Sequence, residues 1–487
     1  YNIARSQDVS VNASLGGIIE DKVYPVYALA SVGMKIGDYK LNSDMQPGQL
    51  SSASLTSEVN YDNIRRELWK VSDIMYKYSL NSFAYKQNFL QNNPTPEEEK
   101  DIPDMLPMKA NENITAQQNE AISHDKVRRI AQTLSAIFLK YPSIYNTRVN
   151  VHCKNNDIYR LNTEGIKQKA CNGYAEVYVT ARIRSNCGSV IGDHFHRVFT
   201  SEKELDETAL YKEVVEFADR MVAVKDAESV GDYYIGPMMF EGDAVPEAVV
   251  KGIYRIIVSK RTTKDNSGMG SLIFGKRIID KKFSLTQKAG MPTYKGIGLL
   301  GYYQLDADGE VPQPSLSIIK NGILEQLISG RTPSLNCMAS TANERFILDP
   351  NRMIGTYVVP GVVALTGASS MPMSKMKQAL CKEAKAQGLS SAYIVRQPAG
   401  CTASLYKVDV KTGDEKMVIV EDDPTLSKSD FMHVIGTSSE DVVLNTIRQG
   451  VGTSVIAPRA IIVESMEKYL KKAKADKPFA IKNPLEK

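Results

Sequence analysis

Gly236-Pro-Met-Met-Phe-Glu-Gly-Asp-Ala-Val-Pro-Glu-Ala-Val-Val-Lys-Gly-Ile-Tyr-Arg255 reads as a capped amphipathic helix entered through a polar turn. Asp243 stands where a side chain can cap the helix, and Val245, Ala248, Val249, Ile253, Ile256 and Ile257 follow at the steps of one buried stripe. The same helix presents Val250, Lys251 and Arg255. A catalytic zinc needs imidazole, thiolate or carboxylate donors at about 2 Å. Val250 has no donor, Lys251 is an ammonium, and Arg255 stays protonated and repels a divalent cation.

Working outward towards the N-terminus, Val9, Val11, Ala13 and Leu15 alternate with mostly polar residues, as do Ala28, Ala30, Val32, Met34 and Ile36. Both patterns predict half-buried strands. Ile64, Leu68, Val71, Met75 and Tyr78 predict a long helix. The lone tryptophan, Trp69, sits one position off that stripe and is expected to pack on a second surface. Residues 92–114 hold four prolines and the acidic run at 97–99, which predicts an extended surface loop. A helix carrying Val127, Ile130, Leu134, Ile137 and Phe138 follows, then strands at 149–153, 158–162, 177–183 and 190–199, then a helix around 204–224.

Beyond residue 255 the pattern is strand-dominated. Residues 301–327 read as strand, turn, strand, turn, strand, with Asp308-Gly309 and Asn321-Gly322 as turn signals. A helix at 373–386 leads into a strand at 392–395. Strands cluster in runs and do not alternate with helices, so the expected class is α+β, not a doubly wound sheet. Two β-rich halves meet near residues 225–236. Residues 1–230 form a sandwich-like α/β domain with long helices and the 92–114 loop; residues 231–487 form a mainly antiparallel β domain.

The chain has 487 residues, 43% of them apolar and 24% charged, with 60 basic against 56 acidic side chains. That balance suits a globular protein with no spanning segment of about 18 apolar residues and no basic face for nucleic acid. Six dispersed cysteines, none in a Cys-x-x-Cys pair, argue against a zinc ribbon or a thioredoxin-like centre. Cys401, far in sequence from any histidine, reads as an idle thiol. His194-Phe-His196 is the one arrangement whose strand spacing turns two imidazoles to one face, an alternative metal site in the absence of a third ligand nearby. Two ordinary strand residues are the simpler reading. Asp306, Asp308 and Glu310 suggest calcium, but a hairpin turn explains them more simply. Residues 270–277 approach a phosphate loop, with Arg277 in place of the magnesium-binding hydroxyl, and residues 296–301 match a dinucleotide loop in letters only.

The 236–255 stretch resembles the signature of the TldD/PmbA family, proteins linked to peptide processing and often labelled modulators of DNA gyrase. Asn162-Thr-Glu-Gly165, the 301–327 run with Leu327 and Arg331, Ser340-Thr-Ala-Asn-Glu-Arg345 with Ala342 in place of glycine, and the stretch from Ser454 onward extend the resemblance over nearly the whole chain. Catalytic members carry His-Glu-x-x-x-His on the signature helix, and those positions fall here on Val250, Lys251 and Arg255. Those members also take a cysteine ligand from the C-terminal region, where this chain has none after Cys401. The resemblance therefore implies a metal-free, non-catalytic subunit without a cofactor. Its expected partner is a paralogous metal-bearing subunit, or a second copy in a homodimer, and its expected ligand an unfolded peptide. An active metallopeptidase with relocated ligands and a homo-oligomeric assembly protein are the alternatives. The first residues, from Tyr1 through Gly37-Asp-Tyr-Lys-Leu, are similar to an exported branch, which implies an extracytoplasmic site reached after signal removal; a cytoplasmic one is the alternative.

Overall fold

Alternation in the first strands decides which way the N-terminal sheet faces. In the computed structural model, which describes residues 1–43, 50–55, 60–95, 97–114, 119–259, 261, 273–348, 354–368 and 370–474, seven strands form that sheet. They are β1 (Asn2–Ser14), β2 (Gly17–Gly33), β3 (Leu50–Leu55), β4 (Asn111–Ile114), β5 (Ile144–Leu161), β6 (Ile166–Arg184) and β7 (Val190–Phe199). Their order is β3-β2-β1-β5-β6-β4, with β7 also paired to β6. Val9, Val11, Val149, Val151, Val177 and Phe195 turn to one face and pack against α2 (His124–Ala136) and α3 (Glu207–Lys225). The long helix α1 (Tyr61–Asn92) lays Ile64, Leu68, Val71 and Met75 on the same side. The period-two complement, including Asp8, His152, Lys154 and Glu176, faces the second half of the chain.

That second half contains β8 (Glu228–Ser229), β9 (Asp232–Gly242), β10 (Phe283–Gln287), β11 (Thr293–Tyr294), β12 (Ile297–Gly298), β13 (Leu316–Lys320) and β14 (Ile323–Leu324). There follow β15 (Glu344–Phe346), β16 (Thr356–Val358), β17 (Val362–Gly367), β18 (Ser370–Met371), β19 (Ser391–Gln397) and β20 (Ser404–Asp409). The last are β21 (Glu415–Ile419), β22 (Val434–Ser438), β23 (Asp441–Arg448), β24 (Val451–Pro458) and β25 (Ala460–Leu470). An eight-stranded sheet runs β18-β22-β25-β9-β19-β20-β21-β8 and a six-stranded one β14-β13-β10-β17-β24-β23, mainly through antiparallel pairs. Between them, the signature helix, split into α4 (Ala244–Gly252) and α5 (Tyr254–Ile257), joins a core with Phe240, Leu285, Val395 and Val455. On the other face of the eight-stranded sheet, α6 (Met373–Ala386) packs Met376 and Leu380 against Met239 and Ile394. The class is α+β, as the clustering of strands predicts.

Several local expectations fail, each for a physical reason. The strands expected at 149–153 and 158–162 are one strand, because β1 and β6 pair with Asn155, Asn156 and Asp157 from both sides and override their low strand propensity. β2 starts at Gly17 and ends at Gly33, before Met34 and Ile36. Trp69 is 79% exposed and not packed, since the sheet covers only the adjacent side of α1. The 92–114 segment is not simply a surface loop. It contains β4, and its Asp104 is buried, accepting from Lys86 Nζ at 2.5 Å and Arg261 Nη1 at 2.6 Å. Residues 301–315 form no strand. Asp306 organises them instead, its Oδ1 accepting from the amides of Asp308 and Glu310 at 2.9 Å each. The Asn321-Gly322 turn joins β13 to β14 as expected, with φ of +47° and +80°.

Candidate functional site at the junction of the halves

The signature segment serves as a joint. At the end of β9, Glu241 Oε2 accepts from Arg396 Nε of β19 at 2.9 Å. Gly242 has φ +78°, and a Cβ there would stand 1.9 Å from the Gln397 carbonyl oxygen, so only glycine fits. Asp243 makes no capping hydrogen bond, contrary to expectation. Its Oδ2 is committed to the Gly400 amide at 2.8 Å, and burial pushes its carboxyl up to about 6. The Gly400 carbonyl in turn accepts from the His196 amide at 2.7 Å, and Phe195 bridges to Cys401. The second half is thereby tied to the edge of the N-terminal sheet. Beside this tie, Asp193 Oδ2 accepts from Arg220 at 2.5 Å, while Arg220 also donates to the Thr402 carbonyl at 2.8 Å.

On the helix itself, Val250 is buried in the core between the sheets. Lys251 is exposed and paired with Glu247, one turn earlier. Arg255 is exposed and forms no ion pair among the described residues. The zinc that the signature implies does not fit these three side chains, since none offers a lone pair to a cation. Among the described residues no three His, Cys, Asp or Glu side chains are grouped so as to hold a metal ion.

His194 and His196 share the inner face of β7, and both lie near the Tyr178 ring, at centroid distances of 5.8 and 5.3 Å. Their roles differ. Burial holds His194 below the usual histidine range. His196 Nε2 lies 2.9 Å from Glu176 Oε2 and opens a cross-strand ladder that the sequence reading missed. Glu176 Oε1 contacts His152 Nδ1 at 3.2 Å, His152 Nε2 contacts Asp8 Oδ1 at 2.9 Å, and Asp8 reaches the fully buried Lys154 at 3.3 Å. Burial opposes the charge on His152, but the hydrogen bonds to Asp8 and Glu176 outweigh it and lift its pKa to about 9. Burial likewise opposes the Glu176 carboxylate, yet His152 and His196 hold it down at about 2. The signal was present as acids and histidines at alternate positions of neighbouring strands, but only the register shows that they meet.

The turn at 162–165 and Arg331, distant in sequence, also come together. Arg331 donates to both Glu164 oxygens at 2.6 Å and to the Leu106 carbonyl. Asp306, a calcium candidate, has its oxygens taken by the amides of Asp308, Glu310 and Glu344. Cys401 is buried and its thiol is pushed up to about 12, the chemistry of an inert cysteine. Residues 270–272 of the phosphate-loop match lie outside the described residues. The 296–301 match opens no helix, and a Cβ at Gly301 would stand 2.4 Å from the Gly361 carbonyl oxygen. Two clefts, of about 510 and 630 Å³, lie between the inner face of the N-terminal sheet and the loops of the second half.

No protein-family model matches the chain, and no curated protein matches its sequence. Solved structures do match. TldE from Thermococcus kodakarensis aligns over 96% of this chain and 95% of its own, with a TM-score of 0.61 at 14% identity. The chain has the TldE fold. A proposed modulator of a DNA gyrase from Thermotoga maritima MSB8 gives a TM-score of 0.60 at 10% identity, over 96% of this chain and 94% of that one. A proposed modulator of DNA gyrase from Bacteroides thetaiotaomicron VPI-5482 gives 0.57 at 12%, over 96% and 93%. The signature segment of this chain places an aliphatic, an ammonium and a guanidinium group along its helix. Among the described residues no helix is long and apolar enough to cross a membrane.

Proposed function

We propose that this chain is a metal-free, non-catalytic member of the TldD/PmbA family that helps hold an unfolded peptide for a metal-bearing partner. One observation carries the reading: the signature segment is built into the fold through Glu241, Gly242 and Asp243, while Val250, Lys251 and Arg255 offer no ligand or general base. A scaffold kept intact around absent ligand chemistry fits a structural subunit better than a peptidase. The two halves, 1–230 and 231–487, form the walls of a peptide site. The 510 Å³ cleft supports this role: Asn113, Asn119, Asn155, Gln168 and Asn172 line it, and Gln168 Oε1, without a hydrogen-bond partner among the described residues, is an acceptor for a peptide N–H. The partner is a paralogous chain with its metal motif intact, or a second copy of this one.

The test is to purify the chain from its native host, measure bound metal by elemental analysis, and assay cleavage of an unfolded peptide with and without co-purifying chains. The expected result is no stoichiometric metal and no turnover by this chain alone, with turnover restored by the partner. Stoichiometric zinc and chelator-sensitive cleavage by the isolated chain, abolished by joint His194→Ala and His196→Ala substitution, would instead establish an active enzyme with relocated ligands.

A further inference from the structure

The register of the N-terminal sheet places Ser31, Asn2, Arg160 and Gln168 in one cross-strand row. Arg160 and Gln168 show where the row points. Arg160 donates to Asp308 at 2.6 Å, and Gln168 Nε2 to the Asp306 carbonyl at 3.1 Å, both in the second half. Asn2 shares that face and lines the 630 Å³ cleft. It is only 7% exposed, and its Oδ1 has no hydrogen-bond partner among the described residues. Such an orphan acceptor is costly unless something supplies a donor.

Across the cleft stands Glu344. The other carboxylates lining the cleft are spoken for: Asp308 by Arg160, Glu164 by Arg331, and Asp38 Oδ1 by the amides of Lys40 and Leu41. Glu344 receives a hydrogen bond from Thr356 and lies over Gly330, where a Cβ would stand 2.8 Å from Oε2. Burial and then the Asp308 charge raise its pKa to about 7, against weaker opposition from Arg160 and Lys35. Lys35, at the rim, reaches Met105 Sδ at 3.5 Å.

We propose that this cleft binds the ammonium or guanidinium group of a basic side chain, with Glu344 as counter-ion and the Asn2 carbonyl as second acceptor. Lysine and arginine heads are pure donors; Asn2 Oδ1 has no partner among the described residues, and the Glu344 carboxylate, bonded to Thr356, has acceptor capacity beyond that one bond. The proposal deepens the peptide-holding reading by naming a basic residue in the peptide, and it rests on that reading for its biological setting.

The full chain is titrated calorimetrically at pH 7.5 with Nα-acetyl-lysine methylamide, its arginine analogue and its norleucine analogue. The basic probes are expected to bind at least tenfold more tightly than norleucine, and Glu344→Gln, which keeps an oxygen for Thr356, to erase that preference. Asn2→Asp, adding a carboxylate, is expected to tighten the basic probes several-fold, and it keeps the test decisive should Glu344→Gln fail to fold. Absence of a basic preference in the wild type, or its persistence in Glu344→Gln, overturns the proposal. Basic probes that bind while unfolded peptides do not would defeat the peptide-holding reading alone. Unfolded peptides that bind without any preference for basic residues would defeat the cation site alone.

Discussion

Arg331 grips both carboxylate oxygens of Glu164 at 2.6 Å across 167 positions of sequence. The grip depends on the turn that presents the acid. Asn162 Oδ1 accepts from the amides of Glu164 and Ile166 at 3.1 and 2.8 Å, and Gly165 takes φ +89° to reverse the chain between β5 and β6. Tyr39 adds a hydroxyl at 2.7 Å and Met108 an amide at 3.2 Å. One carboxylate thus ties the N-terminal sheet, the segment before β4 and the second half together.

The pair is nearly dry, with side-chain exposures of 7% for Arg331 and 15% for Glu164. Removing one partner of such a pair leaves an uncompensated charge, at roughly 3 kcal/mol. Arg331→Ala is therefore expected to lower stability by about that amount, read from the urea midpoint. Glu164→Gln, which keeps one acceptor oxygen but sets an NH2 group against the buried Arg331 guanidinium, is expected to lose a comparable amount. A distinctly smaller loss from Glu164→Gln would show that the charge pairing is not what holds the joint.

The His152 ladder is expected to contribute most to stability on the acid side of neutrality. Because the folded pKa of His152, about 9, lies above its unfolded value of 6.5, its contribution is complete below 6.5 and is lost as pH rises towards 9. Glu176, held at about 2 against 4.5 when unfolded, contributes fully above 4.5 and loses that contribution as pH falls towards 2. The two terms overlap between about 4.5 and 6.5. Chemical denaturation at closely spaced pH values is expected to show stability declining from pH 6.5 to 9, and His152→Gln is expected to flatten that decline.

What the sequence made legible follows from which interactions are local. The stripe from Val127 to Phe138 and the alternation at Val9, Val11 and Ala13 are set by period, and both face the core as predicted. The Asn321-Gly322 turn is likewise a four-residue matter. Pairing in β5 was not legible at Asn155, Asn156 and Asp157, because neighbours on both sides supply what these residues lack in propensity. Asp243 looked like a cap for the same reason: its competitor, the Gly400 amide, lies 157 positions away. Ala342 shows the converse. It stands at φ +55° where the resembled motif has glycine, so the backbone shape persists although the residue suited to it has gone.

Gly242 allows β9 to approach β19 before the chain turns into α4. Any Cβ would collide with the Gln397 carbonyl and would also occupy the left-handed region. Strain and overpacking together amount to roughly 4 kcal/mol. Gly242→Ala is expected to lower the thermal midpoint sharply or to prevent accumulation of folded protein. Gly413→Ala, at φ +77° but with nothing within 4 Å of the added carbon, is expected to show only the smaller backbone penalty.

Asp243 offers the clearest separation of structure from chemistry at the signature helix. Its carboxyl is buried, and burial lifts its pKa to about 6 from 3.8, against the opposing hydrogen bond from Gly400. A carboxyl raised in the folded state makes stability fall as pH climbs from 3.8 to 6, since the unfolded chain releases its proton first. Asparagine keeps an oxygen for the Gly400 amide without any charge to bury. Asp243→Asn is therefore expected to fold, to be at least as stable as the wild type at pH 7, and to remove the part of the pH dependence that lies between 3.8 and 6. Its capacity to support a metal-bearing partner is expected to be unchanged, because the residue holds the 398–401 loop against β7 and touches no reacting group. Loss of partner-dependent cleavage in a variant of undiminished stability would instead give this carboxyl a direct part in the chemistry.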